Sequence, residues 1–287
     1  MPVPVIVVGN VFVGGTGKTP LVIWLVEQLR QAGYVPGVIS RGHGAEVDTV
    51  RLVSVQSEAV QVGDEPLLIR TRTACPVAVG RDRVAAARAL LAAHPTVSVI
   101  ISDDGLQHYR MRRTLEIVLF DQRGAGNGWL LPAGPLREPL SRRRDFTVFN
   151  GKLIPESFPI QTVRMNLVGD YARQLIAPAR EVALRALRGP LLAAAGIGNP
   201  QRFFAMLRDA GLVIDTLPLP DHFDFLQNPF AACAAATILI TEKDAVKCAQ
   251  IDGLKNDSRI WVVPVTARLD APLCELIVEK LRGYPTA

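Results

Sequence analysis

Four apolar residues, Val5–Val8, run into Val13-Gly14-Gly15-Thr16-Gly17-Lys18-Thr19-Pro20, after which Leu21, Leu25 and Leu29 recur at helical spacing. A strand, a glycine-rich loop and an amphipathic helix in that order demand a βα unit with its loop at the helix N-terminus. Glycines there let backbone N–H groups close around phosphate oxygens, the lysine adds positive charge, and the threonine hydroxyl offers a ligand for Mg²⁺. The pattern G-x-x-x-x-G-K-[ST] puts its first glycine at position 12, where this chain has Phe12, so the Gly14-Gly15 pair is expected to supply the turn. The competing reading is a glycine-rich turn with an incidental lysine, yet Lys18 is one of only two lysines before residue 243.

Such a P-loop needs a carboxylate beside it, and Val97-Ser98-Val99-Ile100-Ile101-Ser102-Asp103-Asp104 provides one. An apolar strand ending in acids is the Walker B arrangement, which brings a carboxylate to the carboxyl end of the sheet to hold Mg²⁺ directly or through water. Read otherwise, a strand-end Asp caps the next turn. Gln107 and His108 follow closely and are expected near the nucleotide.

Apolar runs at Val35–Ser40, Val97–Ser102, Ile117–Asp121 and Phe146–Asn150 alternate with helical stretches at about 19–32 and 81–93. This predicts right-handed βαβ crossovers and a P-loop NTPase-like α/β fold: a mainly parallel sheet flanked by helices. Between two of these strands, Gly124–Pro139 is a long loop dense in Gly and Pro, and long loops are usually functional. A second βα run begins at Leu191, so the reading assigns 1–165 to a P-loop domain and 166–287 to linker strands and a smaller α/β domain.

Composition narrows the class further. The 287 residues are 49% hydrophobic and 21% charged, which is globular rather than disordered. The longest nearly apolar run, Phe230–Ile240, is 11 residues, against the roughly 20 needed to span a bilayer. The N-terminus lacks the basic start and cleavage site of a signal peptide. Cysteines at 75, 233, 248 and 274 have no C-x-x-C spacing, which fits a reduced, cytosolic setting. A net charge of +5 suits a phosphate-bearing partner or an anionic membrane face.

Further segments carry a specific resemblance: Ser40-Arg41-Gly42-His43-Gly44, Val62-Gly63-Asp64-Glu65-Pro66, Asp103-Asp104-Gly105-Leu106-Gln107-His108, and the run Gly126-Asn127-Gly128 through Leu136-Arg137-Glu138-Pro139. With the P-loop, and with Gly196-Ile197-Gly198-Asn199-Pro200, Asp221-His222-Phe223 and Thr241-Glu242-Lys243-Asp244 downstream, they resemble the tetraacyldisaccharide 4′-kinase family over essentially the whole chain. The resemblance implies an ATP- and Mg²⁺-dependent kinase of lipid A biosynthesis. It would transfer the γ-phosphoryl group to the 4′-hydroxyl of tetraacyldisaccharide 1-phosphate at the cytoplasmic face of the bacterial inner membrane. Family members usually carry tens of residues, including a membrane-lying amphipathic helix, before their first strand, whereas this sequence starts just ahead of it; His43 stands where the family generally has Tyr.

Roles follow from what phosphoryl transfer requires. Lys18 and the amides of Val13, Gly14, Gly15, Thr16, Gly17 and Thr19 are expected to hold the β/γ-phosphates, with Thr19 and Asp103 or Asp104 on Mg²⁺ and Glu138 as a further metal ligand. Arg137 is a fork for phosphate, or else one half of a local ion pair. Arg81 and Arg83 open a helix where the resemblance implies an active-site arginine; Arg83, with Glu65, is assigned to substrate or phosphate. As proton acceptor the resemblance implies Asp64 paired with His222, since a carboxylate-oriented imidazole is a better base than a carboxylate alone. Against this, Asp64 before Pro66 also reads as a helix cap and His222 as a linker histidine.

Two other functions compete. A P-loop GTPase switch should show N-K-x-D, and Thr241-Glu242-Lys243-Asp244 matches only its last two residues. An ATP-dependent ligase would share the phosphate chemistry, but neither explains the long Gly124–Pro139 loop. Gly196-Ile197-Gly198 fails as a dinucleotide fingerprint because position 201 is Gln. The expected partners are the membrane glycolipid and, peripherally, an anionic membrane met by the arginines at 110, 112, 113 and 142–144 beside Trp129 and Leu130–Leu131; no nucleic acid partner is expected, and a monomer is.

Overall fold

A computed structural model describes residues 1–44, 49–156, 158–159, 161–270 and 272–283. In chain order the strands are β1 Val5–Gly9, β2 Pro36–Ser40, β3 Arg51–Val53, β4 Val77–Val79, β5 Val99–Asp103, β6 Leu115–Asp121, β7 Phe146–Asn150, β8 Val163–Val168, β9 Tyr171–Gln174, β10 Glu181–Ala183, β11 Leu191–Ala195, β12 Asp215–Pro218, β13 Thr237–Thr241, β14 Ile260–Val263 and β15 Thr266–Leu269. The helices are α1 Lys18–Gln31, α2 Ala59–Val62, α3 Asp64–Thr73, α4 Arg83–Ala93, α5 Pro200–Asp209, α6 Glu242–Cys248, α7 Asp252–Lys255 and α8 Leu273–Leu281.

The chain divides into two units. The first contains a nine-stranded sheet in the order β15-β8-β7-β6-β1-β5-β2-β4-β3, parallel from β8 through β4, with β3 antiparallel at one edge. Strand β1 lies between β5 and β6, so the chain leaves it at a point where the strand order reverses, and ligands of open α/β sheets bind at such points. Alternation buries both faces. Val5, Val7, Ile39, Ile100, Val118 and Phe120 enter one core cluster, while Ile6, Val8, Val38, Ile101, Ile117 and Leu119 are equally buried on the opposite side. Helix α1 buries Leu21, Val22, Leu25, Val26 and Leu29 completely, which fixes the direction of its N-terminus.

The second unit has a six-stranded sheet, β10-β9-β14-β13-β11-β12, parallel from β14 to β12 and antiparallel at β9 and β10. Its strands alternate strictly: Leu191, Ala193, Leu239, Trp261 and Val263 pack with α5, whereas Ala194, Ile238, Ile240, Ile260 and Val262 pack with Phe225, Phe230 and Cys248 on the other face.

The division differs from the sequence expectation at the C-terminus. Residues from Ala267 belong with the first unit, because β15 extends the nine-stranded sheet beside β8. Glu58–Val60 are grouped with the second unit.

Candidate active site

The loop after β1 is shaped by side chains as much as by its glycines. Four successive carbonyls are each taken by a donor: Val13 O by Arg123 Nη1 at 3.1 Å, Gly14 O by Asn10 Nδ2 at 3.2 Å, Gly15 O by Arg123 Nη2 at 3.1 Å and Thr16 O by Asn150 Nδ2 at 2.9 Å. Asn10 also donates to Thr16 Oγ1 and accepts from Lys18 Nζ at 3.3 Å. Gly17 has φ +96°, and a Cβ there would lie 2.4 Å from Asn150 Nδ2, so this glycine has no substitute. Where the strict motif has glycine, the Phe12 ring carries the Arg123 guanidinium 4.4 Å above its centre.

The Gly124–Pro139 loop closes against this one. Val13 N donates to Pro135 O at 3.1 Å, Arg137 N donates to Val11 O at 2.7 Å, and Phe12 bridges Leu136. Its tip carries Trp129, Leu130 and Leu131 into solvent, 66%, 45% and 54% exposed.

Beside the loop stand the two acids that end β5, and they differ sharply. Asp103 is fully buried; Ser40 Oγ donates to its Oδ2 at 3.1 Å, and its Oδ1 has no hydrogen-bond partner. Burial, with the charges of Glu65 and Asp104, pushes its carboxyl up to about 7 against the pull of Lys18 and Ser40. Asp104 has left-handed backbone, φ +48°, and faces Lys18 Nζ at 3.6 Å and Arg137 Nη1 at 3.2 Å. Burial opposes its charge, but Lys18 and Arg137 outweigh it and hold the carboxyl below the usual range. Lys18, Thr19, Asp103, Asp104, Arg137 and the loop are thus brought together.

Arg83 and Arg81 separate clearly. Arg83 is 3% exposed, donates to Gly80 O at 2.8 Å and feels Asp103 and Asp104, although burial holds its pKa down; Arg81 points to solvent. Asp82 between them caps α4 through Val84 N and Ala85 N. His108 is half-buried, and its pKa is lowered by burial and then by Arg83. Gln107 donates to Glu138 Oε1 at 2.7 Å, and Arg142 takes the other Glu138 oxygen.

Asp64 is the first residue of α3, and the cap position belongs to Gly63, so the capping alternative is corrected. Gly63 has φ +91°, and a Cβ there would press on the backbone of Gly42 and His43 at 3.1–3.3 Å. Asp64 is 4% exposed, and its Oδ1 accepts from Glu65 N at 2.8 Å; the helix N-terminus favours its charge. In the second unit, His222 has φ +60°, donates its backbone N–H to Gly196 O, and places Nε2 3.4 Å from Lys243 Nζ and 3.9 Å from Asp221 Oδ1. An ammonium only donates, so where Lys243 hydrogen-bonds the ring, Nε2 accepts. Each partner of the expected pair is described within its own unit.

Three of the expected membrane arginines are half-buried and engaged within the protein, which leaves them poorly placed for that role. Arg142 bridges Glu116 and Glu138, Arg113 meets Glu116 at 2.6 Å, and Arg144 donates to Thr147 and to main-chain carbonyls. The sequence reading also missed Asn10, Arg123 and Asn150; the signal was a polar residue ending, or just following, each of three apolar strands.

With this geometry established, comparison with known proteins is specific. The family model for tetraacyldisaccharide-1-P 4′-kinase matches residues 1–282. Tetraacyldisaccharide 4′-kinases from Herminiimonas arsenicoxydans and Janthinobacterium sp. (strain Marseille) are each 64% identical over all of this chain and 85% of their own length; that of Dechloromonas aromatica is 50% identical, over 86% of its length. The crystal structure of LpxK from Aquifex aeolicus in complex with ATP is similar at a TM-score of 0.78 and 28% identity, over 98% of this chain and 89% of that one. The chain belongs to the tetraacyldisaccharide-1-P 4′-kinase family.

Proposed function

We propose that this protein transfers the γ-phosphoryl group of ATP to the 4′-hydroxyl of tetraacyldisaccharide 1-phosphate, giving lipid IVA. The observation that carries the chemistry is the meeting of Lys18, a loop with its carbonyls turned away and held, and the Asp103-Asp104 pair at one end of the sheet. Lys18 and Arg137 are the cations for the β/γ-phosphates, and Asp104 keeps both in place between turnovers.

The residues fit Mg²⁺. Asp103 offers a buried carboxylate oxygen without a hydrogen-bond donor, which is what a hard cation requires, and the Thr19 hydroxyl stands at the helix start. Among the described residues no three His, Cys, Asp or Glu side chains gather into a cage, so the remaining ligands would come from phosphate and water. Bound there, the cation would neutralise charge on the phosphates. Glu138, gripped by Gln107 and Arg142, serves to anchor the long loop.

The proposal keeps the assignment that the resemblance implies, Asp64 and His222 as proton acceptors, a role an imidazole can fill only in its neutral form. Arg83 and Glu65 border Asp103 and act on the transferred phosphate. The acyl chains would be met at the cytoplasmic face of the inner membrane through the exposed Trp129, Leu130 and Leu131, with the exposed Arg110, Arg112 and Arg143 offered to anionic headgroups; no helix among the described residues is long and apolar enough to cross a membrane. Transfer of label from γ-labelled ATP to tetraacyldisaccharide 1-phosphate in detergent micelles tests the reading. Unlabelled product would defeat it.

A further inference from the structure

Arg123 lies outside every motif used above, yet it holds two of the four loop carbonyls that side chains take. Its Nε and Nη2 fork onto Asp121, whose carboxylate is 2% exposed at the end of β6, at 2.8–3.1 Å. Its Nη1 and Nη2 reach Val13 O and Gly15 O, and its face rests on Phe12. Asp121 therefore fixes the guanidinium, and the guanidinium fixes the loop.

We infer that Arg123 is a positioning residue for nucleotide phosphate binding, doing with Phe12 what the first glycine of the strict motif does elsewhere. A trans peptide sets its C=O and the following N–H in opposite directions. Holding Val13 O and Gly15 O on the Arg123 side therefore turns the amides of Gly14 and Thr16 to the other side. Asn10 on Gly14 O and Asn150 on Thr16 O do the same for the intervening planes, so four consecutive amides are oriented before any ligand arrives. Preorganised donors of this kind gain their strength from not having to reorganise. Arg123 does not itself contact phosphate in this scheme, because its donors are spent on Asp121 and the loop. The side chain is 31% exposed, so a small cation in solution can enter its place once it is removed.

The inference rests on the nucleotide reading of the loop, and calorimetric titration with ATP separates the two. Wild-type protein that binds no ATP would overturn both. Given wild-type binding, R123A should weaken ATP affinity by about 10²-fold, the scale of a misplaced binding group. The KM for glycolipid should stay unchanged, while the unfolding midpoint without nucleotide should fall, because the buried Asp121 carboxylate loses its guanidinium. Methylguanidinium should restore part of the lost affinity, and methylammonium should not. An R123A protein within about two-fold of wild-type affinity, or one whose lost affinity follows lost stability without rescue, would overturn the inference. Should R123A not fold, R123K decides: it keeps the charge but not the fork, so wild-type ATP affinity in it would overturn the inference and a loss of at least about ten-fold at unchanged stability would support it.

Discussion

Two glycine-rich turns follow parallel strands in this protein, one after β1 and one after β11, and they have been put to opposite uses. Around the first, side chains consume the carbonyls, and its acid neighbour Asp103 is a buried carboxylate among further acids with one oxygen unpartnered. Around the second, hydrogen bonds come from within: Gly196 N donates to Asp244 Oδ2 at 3.1 Å and Thr241 Oγ1 to the same oxygen at 2.7 Å, while Oδ1, like that of Asp103, has no hydrogen-bond partner and stands 3.9 Å from Lys247. Burial raises the pKa of both acids. Each has a hydroxyl donor and a lysine in its surroundings; what separates them is the further charge, since Glu65 and Asp104 act on Asp103 while a second lysine acts on Asp244. On the proposed reading, that acidic company is what a cation would neutralise. Glycine content alone does not tell a phosphate site from a tight turn.

The largest effect belongs to the proton acceptor. D64A and H222A should each lower kcat by about 10²- to 10⁴-fold with little change in KM for ATP, and the double variant should be hardly worse than either. Fully additive losses in a steady-state assay would mean that the two residues do not share a proton. Next comes K18A, expected to lose about 10²- to 10³-fold in kcat while its unfolding midpoint holds. Activity above about a tenth of wild type would erase the distinction between the two turns, since the first would then be glycine-rich but not electrostatic.

Much of this contrast was legible from sequence, and the part that was not has a physical reason. Apolar runs announced β1, β2, β5, β6, β7 and β11, because strands buried on both faces read as continuous hydrophobic stretches. Strands β3, β4, β10, β12 and β15 are three or four residues long, too short for a period to show. Where β15 pairs is a long-range fact that no local pattern encodes. The loop clamp was hidden for the same reason: Arg123 and Asn150 lie more than 100 positions from the carbonyls they hold. The family motifs named Lys18, Asp103, Asp104 and Arg137, which the fold does gather; they said nothing of Asn10, Arg123 and Asn150, which make the loop rigid.

Stability offers a sharper test of the two acids. At pH 8, D244A should cost about 1–3 kcal/mol in urea unfolding, because it strands Gly196 N–H and the Thr241 hydroxyl. D103A should cost nothing or stabilise, since only the Ser40 bond is lost and a buried charge is relieved, while turnover collapses. The pH dependence follows from the raised pKa. A folded-state value of about 7 against an ordinary 3.8 gives a contribution fully present below pH 3.8 and lost as the pH rises through 7. Ligand-free wild type should therefore lose stability across that window relative to D103A; parallel curves would show that Asp103 is not held protonated.

The smallest effects separate the arginines that hold the fold from those offered to a membrane. Arg142 has 9% of its side chain exposed and ties Glu116 to Glu138. R142E would leave buried carboxylates facing a third, so it should lose about 3–5 kcal/mol of stability and report nothing about membranes. Arg143 and Arg112 are exposed, and Arg110 has only Asp82 at 3.9 Å. Charge reversal at any one of these should leave unfolding within about 0.5 kcal/mol of wild type. The same changes should each reduce sedimentation with anionic vesicles by at least about five-fold at low salt, since roughly 1 kcal/mol is lost with each basic residue near the surface and the new carboxylate adds repulsion. High salt should flatten the difference, as screening at about 10 Å implies, whereas W129A should weaken binding at every salt concentration because its term is apolar. Salt-insensitive binding that ignores Arg110, Arg112 and Arg143 but vanishes with Trp129 would make the loop tip an acyl-chain contact without an electrostatic rim.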